Sequence, residues 1–168
     1  MQSIEPLIKD FLAQRILAVA GVSERKKSPA NFVLEKLQSA GRTVFVVHPT
    51  MTTFKGNTCY RDVASLPEPP GGLFIATRPE VTEKLVEECI RSGVKRIWMH
   101  SIMGSSPTLG KKLAARASSA SASAVDRCRR NGISVIPGAC PMMFCHPVDP
   151  GHACFRWVLK LTGALKID

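Results

Sequence analysis

Five short apolar segments, separated by stretches with helical patterns, limit the fold more than any other feature. They read RILAVAG, TVFVVH, GLFIAT, KRIWMH and ISVIP, over residues 15–21, 43–48, 72–77, 95–100 and 133–137. Their apolar residues run almost continuously instead of alternating, which is typical of strands covered on both faces. Because such sheets are nearly always parallel, we predict a parallel sheet of about five strands.

The stretches between these strands carry helix signals. Residues 30–40 place Phe32, Val33 and Leu37 on one stripe before a glycine, and residues 79–92 begin with proline and end before Gly93. Proline at the start and glycine at the end are typical of helices. Further helices are predicted over residues 4–14, within 108–130, and in a C-terminal segment, 152–164, whose packed face would hold Phe155, Trp157, Val158 and Leu161.

Strands that alternate with helices predict an α/β fold with right-handed crossovers. We expect a small doubly wound sheet in the strand order 3-2-1-4-5, forming one domain over residues 1–168 with its core at about 16–144. The segment ASSASASA, at residues 117–124, has no apolar stripe. We interpret it as a flexible insertion that extends the third helix; the alternative is an alanine-rich helix facing solvent.

Charge and cysteine content limit the class of binding partner and the cellular compartment that we expect. The net charge of +10 predicts an anionic partner, which could be nucleic acid, a membrane surface or a phosphorylated small molecule. Only 6% of the residues are aromatic, which disfavours base stacking, and no apolar run is long enough for a membrane span. We therefore expect a small-molecule ligand, no nucleic acid and no membrane. With no secretory signal, we expect a cytoplasmic protein with six reduced cysteines.

The carboxyl ends of the strands are where ligands bind in open parallel sheets. The first of these loops has one glycine in place of a GxGxxG fingerprint, and His48 stands where a nicotinamide-dependent enzyme has an acidic residue. No GxxxxGK[ST] loop is present either. These absences disfavour hydride transfer and ATP hydrolysis. The first loop still offers backbone amides, a helix N-terminus and the cations Arg25, Lys26 and Lys27 to an anion, although a solvated turn is the alternative.

Three motifs at this edge resemble a known family. GVS at residues 21–23, VVHP at 46–49 and GACPMMF at 138–144 resemble the stand-alone CoA-binding domain proteins, which are similar to the CoA-binding domain of the succinyl-CoA synthetase α subunit. The resemblance covers about residues 16–144. It implies a Rossmann-like, nucleotide-binding fold that holds coenzyme A without a known reaction of its own.

The resemblance also implies a role for each matching position. It places Gly21, Val22 and Ser23 against the CoA phosphates, and Lys26 and Lys27 near the pyrophosphate or the 3′-phosphate. The remaining positions that it implies are His48 and Pro49 beside the adenosine, Thr77, Arg78 and Pro79 beside the adenine and pyrophosphate, Ser101, Ile102, Met103 and Gly104 along the pantetheine arm, and Cys140 near its far end. The family more often has asparagine where this chain has His48.

The segment from residue 140 to 154, CPMMFCHPVDPGHAC, gathers three cysteines and two histidines. These are zinc-type ligands, but no CxxC pair occurs, so we expect no metal. Cys140 is also a candidate reactive thiol, which we expect to form a mixed disulfide with CoA more readily than Cys145 or Cys154.

Together these observations predict a cytoplasmic binding protein for CoA or acyl-CoA, regulatory or carrier in role and without obvious catalytic residues. The alternative is an enzyme component of the CoA-ligase or transferase type, or a thiol-dependent activity through Cys140.

Overall fold

In the computed structural model, the five predicted strands and the predicted helices follow one another along the chain in the order that the sequence predicts. The structure describes residues 2–102 and 118–167. Its helices are α1 (Glu5–Leu12), α2 (Pro29–Ser39), α3 (Pro79–Ser92), α4 (Ala122–Arg130) and α5 (Pro150–Leu161). Its strands are β1 (Gln2–Ser3), β2 (Ile16–Ala20), β3 (Thr43–Val47), β4 (Thr53–Phe54), β5 (Asn57–Tyr60), β6 (Leu73–Ile75), β7 (Arg96–Met99), β8 (Ser134–Pro137) and β9 (Lys166–Ile167).

Seven of the strands in the described ranges form one sheet, in the order β4-β5-β3-β2-β6-β7-β8. Every neighbouring pair is parallel except β4 and β5. The predicted α/β class, with its doubly wound and mostly parallel sheet, is therefore confirmed. Strands β1 and β9 form a separate antiparallel pair that joins the two ends of the described chain.

The predicted strand order is wrong at one position. The segment GLFIAT was expected at the sheet edge, but its strand β6 pairs with the first long strand, so that Ile75 lies opposite Ala20. The place beside β3 is taken by β5, which the sequence analysis missed. Because β5 reads NTCY and is only partly buried, it lacks the continuous apolar run of a strand covered on both faces.

Helices cover both faces of the sheet. In β2, Leu17 and Val19 belong to a core cluster with residues of α1, α2 and α5, whereas Ala18 and Ala20 belong to a second cluster with residues of α3 and α4. Alternate residues of the same strand therefore serve opposite faces. This arrangement leaves the carboxyl ends of the strands open to the surface between the helices.

Residues 118–124, the described part of the segment at 117–124, contact the rest of the domain. Ser118 forms a β-bridge with Ser101, and the buried Ser119 donates its N–H to the carbonyl of His100. Ser121 caps α4, and Ala124 is buried in the core. Two of the serines thus provide a bridge and a helix cap, and Ala124 shares its core cluster with residues of α3.

The packed face predicted for the last helix is also wrong. Trp157 and Leu161 are 63% and 66% exposed, and Val158 is exposed as well, whereas Leu159 is the buried residue of α5. Phe155 is partly buried against the core, as predicted. Among the helices that the structure describes, none is both long and apolar enough to cross a bilayer.

Candidate functional site

A groove of about 830 Å³ opens at the carboxyl ends of β2, β3, β6 and β7. It brings together most residues that the sequence analysis assigned to ligand binding: Gly21, Val22, Ser23, Lys26, Lys27, His48, Pro49, Thr77, Arg78, Pro79 and Ile102. Cys140 lines an adjoining pocket, and Ser101 is buried and bridged to Ala139 and Ser118. Met103 and Gly104 lie outside the described residues.

Gly21, directly after β2, has a backbone that other residues rarely adopt. Its φ is +103°, and a Cβ atom there would lie 2.3 Å from the carbonyl oxygen of Ala76. The ends of β2 and β6 therefore approach each other closely only because residue 21 has no side chain. Gly21 and Ala76 both line the groove.

Two side chains of the α2 N-terminus anchor the loop that follows β2. Ser28 accepts a hydrogen bond from the Ala30 N–H and donates its hydroxyl to the Gly21 carbonyl at 2.6 Å. The Asn31 amide both accepts from the Ser23 N–H and donates to the Ser23 carbonyl. The backbone N–H groups of Ser23 and Ala30 are thus already used within the protein, so the attraction of this region for anions rests mainly on charged side chains.

Five cationic side chains line the groove, and all are exposed. Lys26, Lys27, Arg61, Arg78 and Lys84 form no ion pair within the described part of the chain. The acidic lining residue Glu88 instead accepts a hydrogen bond from the backbone N–H of Val63. Unpaired cations around one cavity create a positive potential that attracts a densely charged anion.

Sequence reasoning missed two of these cations, Arg61 and Lys84. Arg61 follows β5, the strand that carried no continuous apolar signal. Lys84 lies on α3, one turn after Val81, which also lines the groove. The helical spacing of Val81 and Lys84, read from the Pro79 end that faces the binding edge, was the signal that could have identified Lys84.

His48 stabilises the turn that follows β3. Its Nδ1 atom accepts hydrogen bonds from the backbone N–H groups of Thr50 and Met51, at 3.3 and 3.0 Å. Partial burial lowers the pKa of His48, although nearby Glu24 acts in the opposite direction. The imidazole therefore supplies the local acceptor that an asparagine side chain supplies in an Asx turn.

A second pocket, of about 550 Å³, adjoins the groove and shares Lys27, Pro29, His100 and Ile102 with it. The apolar side chains that line it are Pro29, Phe32, Ile102, Met142, Met143 and Phe155. Three of these come from the GACPMMF motif and α5, so the segment after β8 builds one wall. The charged groove and this apolar pocket are therefore contiguous.

His100 lies where the two cavities meet. The residue is only 5% exposed. Its imidazole ring meets the Phe74 ring edge to face, with 6.1 Å between the two ring centroids. No residue within the described ranges gives its imidazole a hydrogen-bond partner. Burial lowers its pKa to about 4, so the ring is neutral at physiological pH and carries one donor and one acceptor.

The structure does not favour reactivity at Cys140. Burial is the main reason that its pKa is raised to about 11, so that little thiolate exists near neutral pH. In the same pocket, Asp149 Oδ2 and His152 Nδ1 are 2.5 Å apart, and Asp149 also caps α5 through the His152 N–H. The Asp149 carboxylate orients the His152 imidazole. The neighbouring Cys140 thiol, however, is mostly protonated and is therefore a poor nucleophile.

The zinc alternative for residues 140–154 finds no geometric support. Cys145 is buried and Cys154 is exposed, and all six cysteines of the chain are free thiols. In the described ranges, no three His, Cys, Asp or Glu side chains are placed so that they could hold a metal ion.

The fold and this site define a Rossmann-like binding domain whose cationic groove continues into an apolar pocket. The chain belongs to the CoA binding domain family, whose sequence profile matches residues 15–146. None of the curated proteins compared with the chain matches it significantly in sequence.

Solved structures share the fold. A hypothetical protein from Pyrococcus horikoshii OT3 is 21% identical, with a TM-score of 0.65 over 84% of this chain and 88% of its own. A protein from Thermus thermophilus is 18% identical, with a TM-score of 0.62 over 80% and 90%. The dinucleotide forming acetyl-coenzyme A synthetase 1 of Ca. Korarchaeum cryptofilum is 22% identical, with a TM-score of 0.56 over 72% of this chain and 25% of its own.

Proposed function

We propose that this protein binds coenzyme A in the groove at the carboxyl ends of its strands, as a regulatory or carrier protein. The observation that carries the proposal is the set of five unpaired cations around a cavity that joins an apolar pocket. Coenzyme A has the matching chemistry, because its pyrophosphate and 3′-phosphate carry dense negative charge and its pantetheine arm can lead from the groove toward the pocket. Membership of the CoA binding domain family supports the same ligand.

The proposed placement follows the charges. The pyrophosphate would lie over residues 21–23 and beside Lys26 and Lys27. The adenosine would lie beside His48 and Pro49 and near Arg78. The pantetheine arm would run past Ile102 toward His100. We also propose that the protein works in the cytoplasm, a location that its six free thiols support.

Calorimetry with CoA, dephospho-CoA, NAD and ATP tests the proposal. We expect CoA to bind most tightly, because the first loop lacks the glycine fingerprint and the acidic residue that favour NAD. Tighter binding of NAD or ATP than of CoA would contradict the proposal.

A pair of double variants tests whether the charges act locally. Lys26→Ala with Lys27→Ala should weaken CoA binding by roughly tenfold or more, since the loss of even one charge-assisted hydrogen bond costs about 1.5–3 kcal/mol. The control combines Lys9→Ala with Lys95→Ala, which removes the same charge at exposed sites outside both cavities. Equal losses in the two double variants would mean that only the net charge matters. If dephospho-CoA loses less than CoA, the lysines contact the 3′-phosphate.

A further inference from the structure

The pocket that adjoins the groove differs from it in chemistry. Its lysine, Lys27, also lines the groove, and half of its lining residues are proline, phenylalanine, isoleucine and methionine. Its volume of about 550 Å³ is within the range that holds small-molecule ligands. An apolar cavity of this size favours a ligand group that carries few polar atoms.

His100 marks the boundary between the two cavities. A buried polar side chain nearly always has a hydrogen-bond partner, and this imidazole has none within residues 2–102 and 118–167. It faces the space that a ligand would occupy on its way from the groove into the pocket. The ligand is therefore expected to present a polar group at His100 and an apolar group beyond it.

The other polar side chains that line the pocket do not require a polar ligand. Asp149 and His152 are hydrogen-bonded to each other, so each already has a partner. The Cys140 thiol is a weak donor and acceptor. A pantetheine arm, which has two amides and a hydroxyl group, would leave several of these groups without partners in this pocket.

We propose that the apolar pocket binds the acyl chain of an acyl-CoA, with the thioester beside His100. The ligand class would then be aliphatic acyl-CoA thioesters in preference to free CoA. This inference rests on the proposed CoA binding in the groove. His100 would act as a positioning residue that donates a hydrogen bond to the thioester carbonyl, and no covalent step is involved.

A chain-length series tests the inference by calorimetry with free CoA, butyryl-CoA, hexanoyl-CoA and octanoyl-CoA. We expect affinity to rise by up to about fourfold for each methylene that enters the pocket, and to level off once the pocket is full. Equal affinity for free CoA and all three thioesters would overturn the inference while leaving CoA binding in place. Failure of every probe to bind would refute the proposed CoA binding itself.

Two single variants locate the effect. Phe32 lines the pocket but not the groove and is 47% exposed, so Phe32→Ala should leave the fold and the affinity for free CoA unchanged. It should reduce the affinity gained from hexanoyl and octanoyl chains by several-fold. Trp157→Ala is the control, because Trp157 is an exposed aromatic residue that lines neither cavity. An equal loss in both variants, or no loss in either, would overturn the assignment of the acyl chain to this pocket.

Discussion

Gly21 occupies a position where any side chain would collide with the neighbouring strand. We expect Gly21→Ala to lower the free energy of unfolding by at least about 2 kcal/mol, because it adds backbone strain to a clash with the Ala76 carbonyl. Gly41→Ala is a matched control, since Gly41 also has a positive φ, +79°, but open space around its Cβ position. Strain alone should cost about 1 kcal/mol there. Denaturant titration measures both values, and equal losses would contradict the close approach of β2 and β6.

His100 predicts a specific pH dependence of stability. Its folded pKa of about 4 lies below the usual 6.5, so the unfolded chain binds more protons between these values. Stability should therefore fall as the pH drops from 6.5 toward 4, by about 2 kcal/mol at about pH 5. His100→Gln should remove that part of the loss when unfolding free energies at about pH 7.5 and about pH 5 are compared. An unchanged pH dependence in the variant would show that His100 is not buried as a neutral ring.

The sequence alone predicts that Cys140 reacts more readily than Cys154, whereas the structure predicts the opposite order. Because the pKa of Cys140 is about 11, its thiolate is about one part in a thousand near pH 8. We expect the exposed Cys154 to react with iodoacetamide or CoA disulfide well before Cys140 does. The rate at Cys140 should rise about tenfold per pH unit through this range. Peptide mass spectrometry after short labelling pulses measures both rates, and faster reaction at Cys140 would restore the thiol hypothesis.

At the scale of elements, α2 links stability to the loop that follows β2. Ser28→Ala removes both the helix cap and the hydrogen bond to the Gly21 carbonyl, so it should cost about 1–2 kcal/mol. It should also weaken CoA binding, because the loop over residues 21–28 loses an anchor. Ser121→Ala is the control, because it removes the corresponding cap of α4 and a hydrogen bond that Ser121 donates to Glu83. Ser121 lines neither cavity. The control should lose similar stability with unchanged CoA affinity; a parallel loss of affinity would indicate a general loss of folding.

At the scale of the whole molecule, the net charge of +10 acts through its distribution. The groove cations are exposed, so salt should screen them effectively, since the Debye length falls from about 10 Å at 0.1 M to about 3 Å at 1 M. We expect CoA affinity to fall by roughly tenfold between about 0.05 and 0.5 M salt, and dephospho-CoA affinity to fall less. Calorimetry over a salt series measures this. An affinity that does not depend on salt would assign binding to the apolar pocket alone.

The fold could be predicted well from sequence where a local residue pattern is enough to specify a strand or the end of a helix. Continuous apolar runs identified five of the parallel strands, and proline and glycine placed the ends of α3 at residues 79 and 92. Strand β5 could not be found, because its polar residues NTCY become a strand only when β3 lies beside them. Trp157 illustrates the same limit in a helix, where amphipathic spacing does not say which stripe meets the core.

The sequence by itself determined the α/β class, the loops at the carboxyl ends of five strands and the positive charge near Gly21, because periodicity, turn residues and local charge are properties of adjacent residues. Only the tertiary structure decided that β6 lies beside β2, that Arg61 and Lys84 join the other cations, and that His100 meets an apolar pocket. These features depend on residues far apart in the chain, which packing brings together. Burial then changed the chemistry of Cys140, since the pKa of a thiol depends on its surroundings more than on its neighbours in sequence.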